Sequence, residues 1–283
     1  MSLVFFGSSE YSIPCLVSLL KHDYRILVVA APDRPAGRGL KLTPSPLADF
    51  AQKKNLKIIK PDKLDQKTFP PRNDKVSPGF KLGVCCVYGK IIPKLWLNLF
   101  SRGIINIHPS LLPKYRGPSP AQAAILNQEK ITGVTFIKMD ALCDHGPILA
   151  QFREKILPQD TAGELYQRLF NFASQKLPQI IKKYLAEKIK PRPQNHSQAT
   201  FTKMIKKEDG CLSLKEMSKE IDLKRRAYAP WPGIYTKIKI DNQEKRLKIL
   251  KTHLKEGRLI IDQVQLEGKK PISFSDFLKS EEL

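Results

Sequence analysis

The stretch Leu3–Ala31, LVFFGSSEYSIPCLVSLLKHDYRILVVAA, decides the fold. Leu3-Val4-Phe5-Phe6 is an unbroken apolar run that stops at Gly7, the pattern of a strand buried on both faces. Ile13, Leu16, Val17 and Leu20 then recur at helical spacing, and Ser12-Ile13-Pro14 suits a helix start. Ile26 to Ala31 reads as a second buried strand. Strand, helix and strand within about thirty residues make a βαβ unit and hence a parallel sheet. The turn after the first strand, Gly7-Ser8-Ser9-Glu10, lacks the G-x-G-x-x-G spacing that brings backbone against a pyrophosphate. The expectation is an α/β domain with a Rossmann-like, mostly parallel sheet and no nicotinamide cofactor.

A chain of 283 residues suggests two domains at ~100–200 residues each. With 41% hydrophobic residues it can bury a sizeable core. Cys15, Cys85, Cys86, Cys143 and Cys211 show no metal-like spacing. No secretory signal precedes Leu3, and no apolar run approaches the ~18–20 residues of a membrane span, so the cytoplasm is expected and a membrane is not. The net charge of +22 suits acidic substrates, nucleic acid or a membrane surface, with a generally lysine-rich composition as the bland alternative. Residues 1–200 carry 30 basic and 14 acidic side chains, and 201–283 carry 19 and 13, so charge does not locate a binding face.

Several further elements follow. Pro32 to Lys41 holds two prolines, two glycines and three cations, which reads as an exposed loop. Thr43 or Ser45 caps a helix over 47–54, and Leu56 to Ile59 is a strand. Leu82 to Val87 is a strand ending in Tyr88-Gly89-Lys90-Ile91-Ile92-Pro93, while 61–79 shows little pattern. A helix over 119–126, strands over 134–138 and 148–156, and a capping box at Thr161/Glu164 come next, with Pro178 expected to kink the helix that follows. From Lys190 to Gly210 the chain turns polar and proline-rich, giving a linker over 191–207. Beyond it, a helix over 214–223 and short strands at 234–240, 246–253 and 258–265 suit a smaller OB-like β-barrel.

The chemistry gathers at Gly103–Pro120, GIINIHPSLLPKYRGPSP. Asn106 and His108 are two apart, so on a strand their side chains leave the same face. Met139 to Ile148 is a loop holding two carboxylates, Asp140 at its start and Asp144 within it. Asp140 reads as the loop's cap, and His145 is a titratable neighbour that is easily misassigned. Cys143 adjoins this site, but nothing positions a base for it as a nucleophile.

These strings together, with DRPAGRG at 33–39 and APWPG at 229–233, resemble the folate-dependent formyltransferases and, among them, the branch acting on methionyl-tRNA. The resemblance implies a catalytic domain over 1–190 and a tRNA-binding domain over 208–283. It implies Asn106, His108 and Asp144 as catalytic residues. It places the 10-formyltetrahydrofolate co-substrate against Val87, Tyr88, Gly89 and Ile91, and against Ser110, Leu111, Leu112 and Pro113. Arg34, Arg38 and Lys41 would grip initiator methionyl-tRNA, with no metal and a monomeric enzyme. One departure is that the aspartate-tryptophan pair usual after the linker glycine is Cys211-Leu212 here. The rival readings are a formyltransferase for another amine (an amino sugar nucleotide or glycinamide ribonucleotide), a formyltetrahydrofolate hydrolase, and an RNA-binding relative without catalysis.

Overall fold

The two apolar runs of the opening stretch pair in parallel as β1 (Ser2–Phe6) and β2 (Arg25–Val29), from Leu3 opposite Ile26 to Phe6 opposite Val29. Helix α1 (Ile13–Leu20) joins them, with Pro14 in its first turn, where a missing N–H costs nothing. A computed structural model describes residues 1–36, 39–68, 80–212, 218–240, 242–256 and 258–280. After β2 the expected exposed loop is instead a small antiparallel ribbon, β3 (Arg34–Ala36) and β4 (Lys41–Thr43). Its proline and glycine content conceals the ladder because only three pairs are needed to make one. Gly37 and Arg38 lie outside the described residues.

Helix α2 (Pro46–Lys53) begins at Ser45, whose hydroxyl accepts from the Ala48 N–H at 3.4 Å, so Ser45 rather than Thr43 is the cap. Then come β5 (Lys57–Ile59), β6 (Leu82–Cys85), α3 (Lys94–Leu97), β7 (Ile104–His108), α4 (Pro120–Leu126), β8 (Ile131–Lys138), β9 (Ile148–Lys155) and α5 (Ala162–Leu185). The capping box forms as read: the Thr161 N–H donates to Glu164 Oε2 at 2.9 Å and the Glu164 N–H to Thr161 Oγ1 at 3.3 Å. Pro178 lies inside α5 without ending it. The seven strands run β5-β2-β1-β6-β7-β8-β9, parallel from β5 to β7 and antiparallel from there to β9.

At the heart of this sheet, Phe6 meets Tyr88, Trp96 and Phe100 edge-on, with centroids 5.7, 5.8 and 6.1 Å away. Trp96 donates its indole N–H to the Asp65 carbonyl at 3.0 Å, which lets a polar ring sit fully buried.

The chain divides into two compact units. The first comprises 1–118, 131–155 and 166–202, and the second 119–130, 156–165 and 203–283. The second holds α6 (Ser218–Tyr228), β10 (Ile234–Ile240), β11 (Gln243–Lys255), β12 (Arg258–Leu266), β13 (Ile272–Ser273) and α7 (Phe274–Ser280). Its sheet is antiparallel in the order β10-β11-β12-β13, over a core of Leu247, Val264, Leu266 and Phe277. Helix α6 runs on to Tyr228, past the expected end at Leu223, because Asp222 pairs with Arg225 and Arg226 one turn later, each at 3.0 Å. The expected start of that helix, 214–217, lies outside the described residues. Segments 119–130 and 156–165 pack with this unit: α4 lies against α6, and the Gly163 N–H donates to the Ala229 carbonyl at 3.1 Å.

Most of the expected linker, 191–202 of 191–207, is not free chain. Residues 191–202 belong to the first unit, where the Ile148 N–H donates to Arg192 O at 2.7 Å and the Arg192 N–H returns a bond to Ile148 O at 2.9 Å. Polar composition reads as a linker, but here the polar groups are consumed by long-range hydrogen bonds.

Replacing Phe6 by Ala removes a ring packed on three aromatic neighbours, so chemical denaturation should show a loss of about 3–5 kcal/mol. A loss below about 1 kcal/mol would mean that the pocket collapses around the gap.

Candidate active site

Strand β7 alternates Ile105 and Ile107, both buried, with Asn106 and His108 on the other face. Across the ladder Asn106 lies opposite Cys85 on one side and Ile137 on the other. The loop 139–147 between β8 and β9 brings Asp144 to this face. Asn106 Nδ2 donates to Asp144 Oδ1 at 3.0 Å. The Gly117 N–H donates to Asp144 Oδ2 at 2.9 Å, and His108 Nδ1 lies 3.4 Å from that oxygen. The His108 side chain is 5% exposed and that of Asp144 12%, so the pair is nearly withdrawn from water. His108 Nε2 lies 2.8 Å from the Tyr115 carbonyl, an acceptor only, so that nitrogen carries a hydrogen. Nδ1 is left facing the carboxylate.

Asp144 is held in a left-handed backbone conformation, φ 47°, which Asp tolerates better than most residues. What over-determines it is Gln194, whose amide donates to Asp144 O at 2.9 Å and to Gly146 O at 2.7 Å. Gly146 has no room for a side chain against the Lys138 carbonyl. Gly117, at φ 105°, is equally obligate: a Cβ there would lie 2.8 Å from Thr202 O. Behind Gln194 sits Arg116, 3% exposed, whose Nη2 donates to Gln194 Oε1 at 2.7 Å. Arg116 is fixed in turn by its N–H to Thr200 O at 2.8 Å and by the Thr202 N–H to its own carbonyl at 2.7 Å.

The remaining residues of the loop fall into place around Asp144. Asp140 is indeed the cap: Oδ1 accepts from the Leu142 N–H at 3.0 Å and Oδ2 faces His145 Nδ1 at 2.6 Å. Cys143 donates its thiol to Asp144 Oδ2 at 3.4 Å. Burial, then the Asp144 charge, push that thiol up to about 11, which keeps it a donor rather than a thiolate.

The residues expected to line the folate site divide. Val87 and Gly89 both have positive φ (50° and 74°), so the chain turns sharply two residues after Cys85, beside Asn106. Tyr88 between them points into the core on Phe6, and burial pushes its hydroxyl up to about 12, with no hydrogen-bond partner among the described residues. Ile91 stands 89% exposed. Ser110 and Leu112, by contrast, lie inside the fold. Ser110 donates its hydroxyl to Lys114 O at 2.7 Å, and Leu112 packs on Ile137 and Ile148 while its carbonyl takes the Gln151 amide at 2.8 Å. Their side chains are occupied within the fold, beneath the 108–117 loop. Leu111 is half-buried, and Pro113 is joined to Leu112 by a cis bond. A recess of about 530 Å³ opens where the 139–147 loop begins, lined by Lys94, Leu97, Phe100, Lys138 and Met139 among others. Arg34 and Lys41 are exposed on the β3–β4 ribbon. Among the described residues no cluster of His, Cys, Asp and Glu is placed to hold a metal ion.

Arg116 lies within the Gly103–Pro120 stretch and Gln194 within the expected linker, and neither stands out in the sequence as a site residue. No local pattern marks them, because each acts across 78 or 50 residues of chain.

The chain is similar to known proteins. Residues 2–181 fit the family model described as Formyl transferase, and residues 204–258 the one described as Formyl transferase, C-terminal domain. The methionyl-tRNA formyltransferase of Chloroflexus aurantiacus is 42% identical over 237 residues, 83% of this chain and 76% of the relative. That of Thermus thermophilus is 35% identical over 301 residues, 99% of this chain and 96% of the relative. The chain belongs to the formyl transferases and, within them, to the methionyl-tRNA formyltransferase family. Two solved structures share the fold at low identity. The methionyl-tRNA formyltransferase from Clostridium thermocellum has a TM-score of 0.66 at 19% identity, covering 94% of this chain and 98% of that one. An N-formyltransferase from Helicobacter canadensis, in complex with folinic acid and dTDP-3-aminofucose, has a TM-score of 0.65 at 20%, covering 96% and 98%.

Two outcomes are expected. Gly117→Ala strains a positive-φ position and displaces the amide on Asp144, so unfolding should show about 1–3 kcal/mol lost and turnover should fall with it. Cys143, though exposed, should be alkylated by iodoacetamide slowly at neutral pH, its thiolate fraction being on the order of 10⁻⁴ there, and about tenfold faster per pH unit upward. A rate already saturated near pH 8, absent in Cys143→Ser, would contradict the hydrogen bond to Asp144.

Proposed function

We propose that this chain transfers the formyl group of 10-formyltetrahydrofolate to the α-amino group of initiator methionyl-tRNA. The observation that carries the reading is the convergence of Asn106, His108 and Asp144 in a chain of this family. The folate supplies an activated formyl group; the rest is done by the protein.

Asn106 spends one amide hydrogen on Asp144 and keeps the other for the formyl oxygen. His108, with Nε2 tied to Tyr115 O, has Nδ1 left to share between that oxygen and Asp144. A preorganised donor aimed at a developing oxyanion contributes about 3–4 kcal/mol, so this pair supplies a large part of the barrier lowering. Asp144 balances positive charge on His108 and is placed to relay the proton that the attacking amine loses toward the tetrahydrofolate nitrogen, which leaves as its bond to the formyl carbon breaks. Folate ring contacts fall to the Val87–Ile91 turn and the start of the 139–147 loop, where chain reversals leave backbone groups and an exposed apolar side chain at the rim.

The tRNA is held by charge. The β3–β4 ribbon offers Arg34 and Lys41, with Arg38 between them in sequence, and the part of the chain after Thr202 carries the remaining contacts. Binding should therefore weaken with salt. In that second unit Trp231 is 53% exposed and open to stacking, whereas Tyr228 is buried in the fold. Transfer to an amino sugar nucleotide is the second reading, since the Helicobacter structure shares the fold. The arginine-bearing ribbon, which a small acceptor does not require, favours tRNA.

The decisive experiment follows formyl transfer from 10-formyltetrahydrofolate to initiator methionyl-tRNA, free methionine and water side by side. Rapid transfer to the charged tRNA alone is expected. Asn106→Ala, His108→Ala and Asp144→Ala should each lower kcat by at least about 10²-fold with an unchanged circular dichroism spectrum. Folate turnover without tRNA would replace this reading with a hydrolase, and transfer only to a sugar nucleotide would replace the acceptor.

A further inference from the structure

The wall behind Asp144 contains two histidines and an arginine that the proposed reaction does not use. The rings of His145 and His196 lie face to face, with centroids 4.0 Å apart and planes 2° from parallel. His196 Nδ1 is 2.9 Å from Arg116 Nη2. A guanidinium nitrogen only donates, so His196 Nδ1 must be bare and its ring uncharged for this bond to exist. The same Arg116 nitrogen donates to Gln194, and Gln194 holds the carbonyls of Asp144 and Gly146, which flank His145 in sequence. His145 is fixed from the other side by Asp140, 2.6 Å from its Nδ1. The 139–147 loop is thus gripped twice by the segment carrying Gln194 and His196, once through amide bonds and once through stacked rings.

We infer that His145, His196 and Arg116 form a latch that positions Asp144 against Asn106 and His108, and that it closes only while His196 is uncharged. This rests on the reading of Asp144 as a catalytic residue; the three latch residues are positioning residues. Protonated, His196 would turn an N–H toward the Arg116 N–H and set two cations side by side. The groups facing His196 are His145 from the 139–147 loop, Arg116 from the turn after β7 and, beyond His145, Asp140. Desolvation, then His145 and Arg116, lower the basicity of His196, and Asp140 opposes them. The sign follows: the latch is intact above the ordinary histidine range and opens as pH falls through the lowered value. Asp144 sits at φ 47°, so once Gln194 and Arg116 let go its backbone is free to leave that conformation.

The test compares the full-length protein with His196→Gln, whose side-chain oxygen can accept from Arg116 without titrating. His196→Asn serves as a second such variant. The first readout is hydrogen exchange of residues 139–147, corrected for intrinsic pH dependence, in the free protein. Wild type should exchange at least about threefold faster at about pH 5.5 than at about pH 7.5, and the variant should not change. The second readout is the variant to wild-type ratio of kcat/KM for formyl transfer, which should rise at least about threefold from about pH 7.5 to about pH 5.5, whatever the lost ring stack costs at the higher pH. Matching pH dependence of exchange in wild type and variant would overturn the latch, as would a flat kcat/KM ratio alongside altered exchange. Because exchange needs no substrate, a protein inactive at every pH would sink the catalytic reading while exchange still decides whether the histidines hold the loop.

Discussion

A carboxylate almost out of water must be surrounded by donors, and most of the first unit around Asp144 is arranged to meet that demand. Asn106, Gly117 and Cys143 each donate to it, and His108 faces it. They come from three pieces of backbone, strand β7 with Asn106 and His108, the turn at Gly117, and the Asp144 loop itself with Cys143, and each imposes its own condition: a strand face that alternates correctly, a glycine at φ 105°, a loop that turns left-handed. In the proposed reaction, two of the groups that face the buried charge, Asn106 and His108, also serve the formyl oxygen.

The sheet makes this possible by changing direction. From β5 to β7 the strands are parallel, and connections between them must cross over; from β7 onward they are antiparallel, and a hairpin loop suffices. That hairpin, 139–147, lies beside the Asn106 face because Ile137 pairs with Asn106 across the ladder. A further parallel strand at this edge would have called for a crossover in place of this short loop.

How much of this could be read beforehand depended on the range of the interaction. The βαβ unit was legible in apolar spacing alone, as was the shared face of Asn106 and His108. Asp140 as a cap was legible because an Asx turn acts over two residues, and Asp144 only through the family's loop. The inward turn of Ser110 and Leu112 was not legible, since it depends on Thr135 and Gln151 from other strands. Nor was the packing of 119–130 with the C-terminal unit, or the employment of Gln194. A polar residue bonded 50 positions away has the same local appearance as one in solvent. Of the small C-terminal β domain, strand content was legible, and the described residues form a four-stranded antiparallel sheet.

The placement of Arg192, Gln194, Thr200 and Thr202 in the first unit bears on how this enzyme can be taken apart. The first family match ends at residue 181 and the second begins at 204, so a dissection guided by those borders cuts away the very groups that hold the Asp144 loop. A fragment meant to keep the first unit has to carry its chain through Thr202. By the same logic, exchange of C-terminal modules between related enzymes, in the laboratory or in evolution, leaves the chemistry undisturbed only when the crossover point falls after that residue.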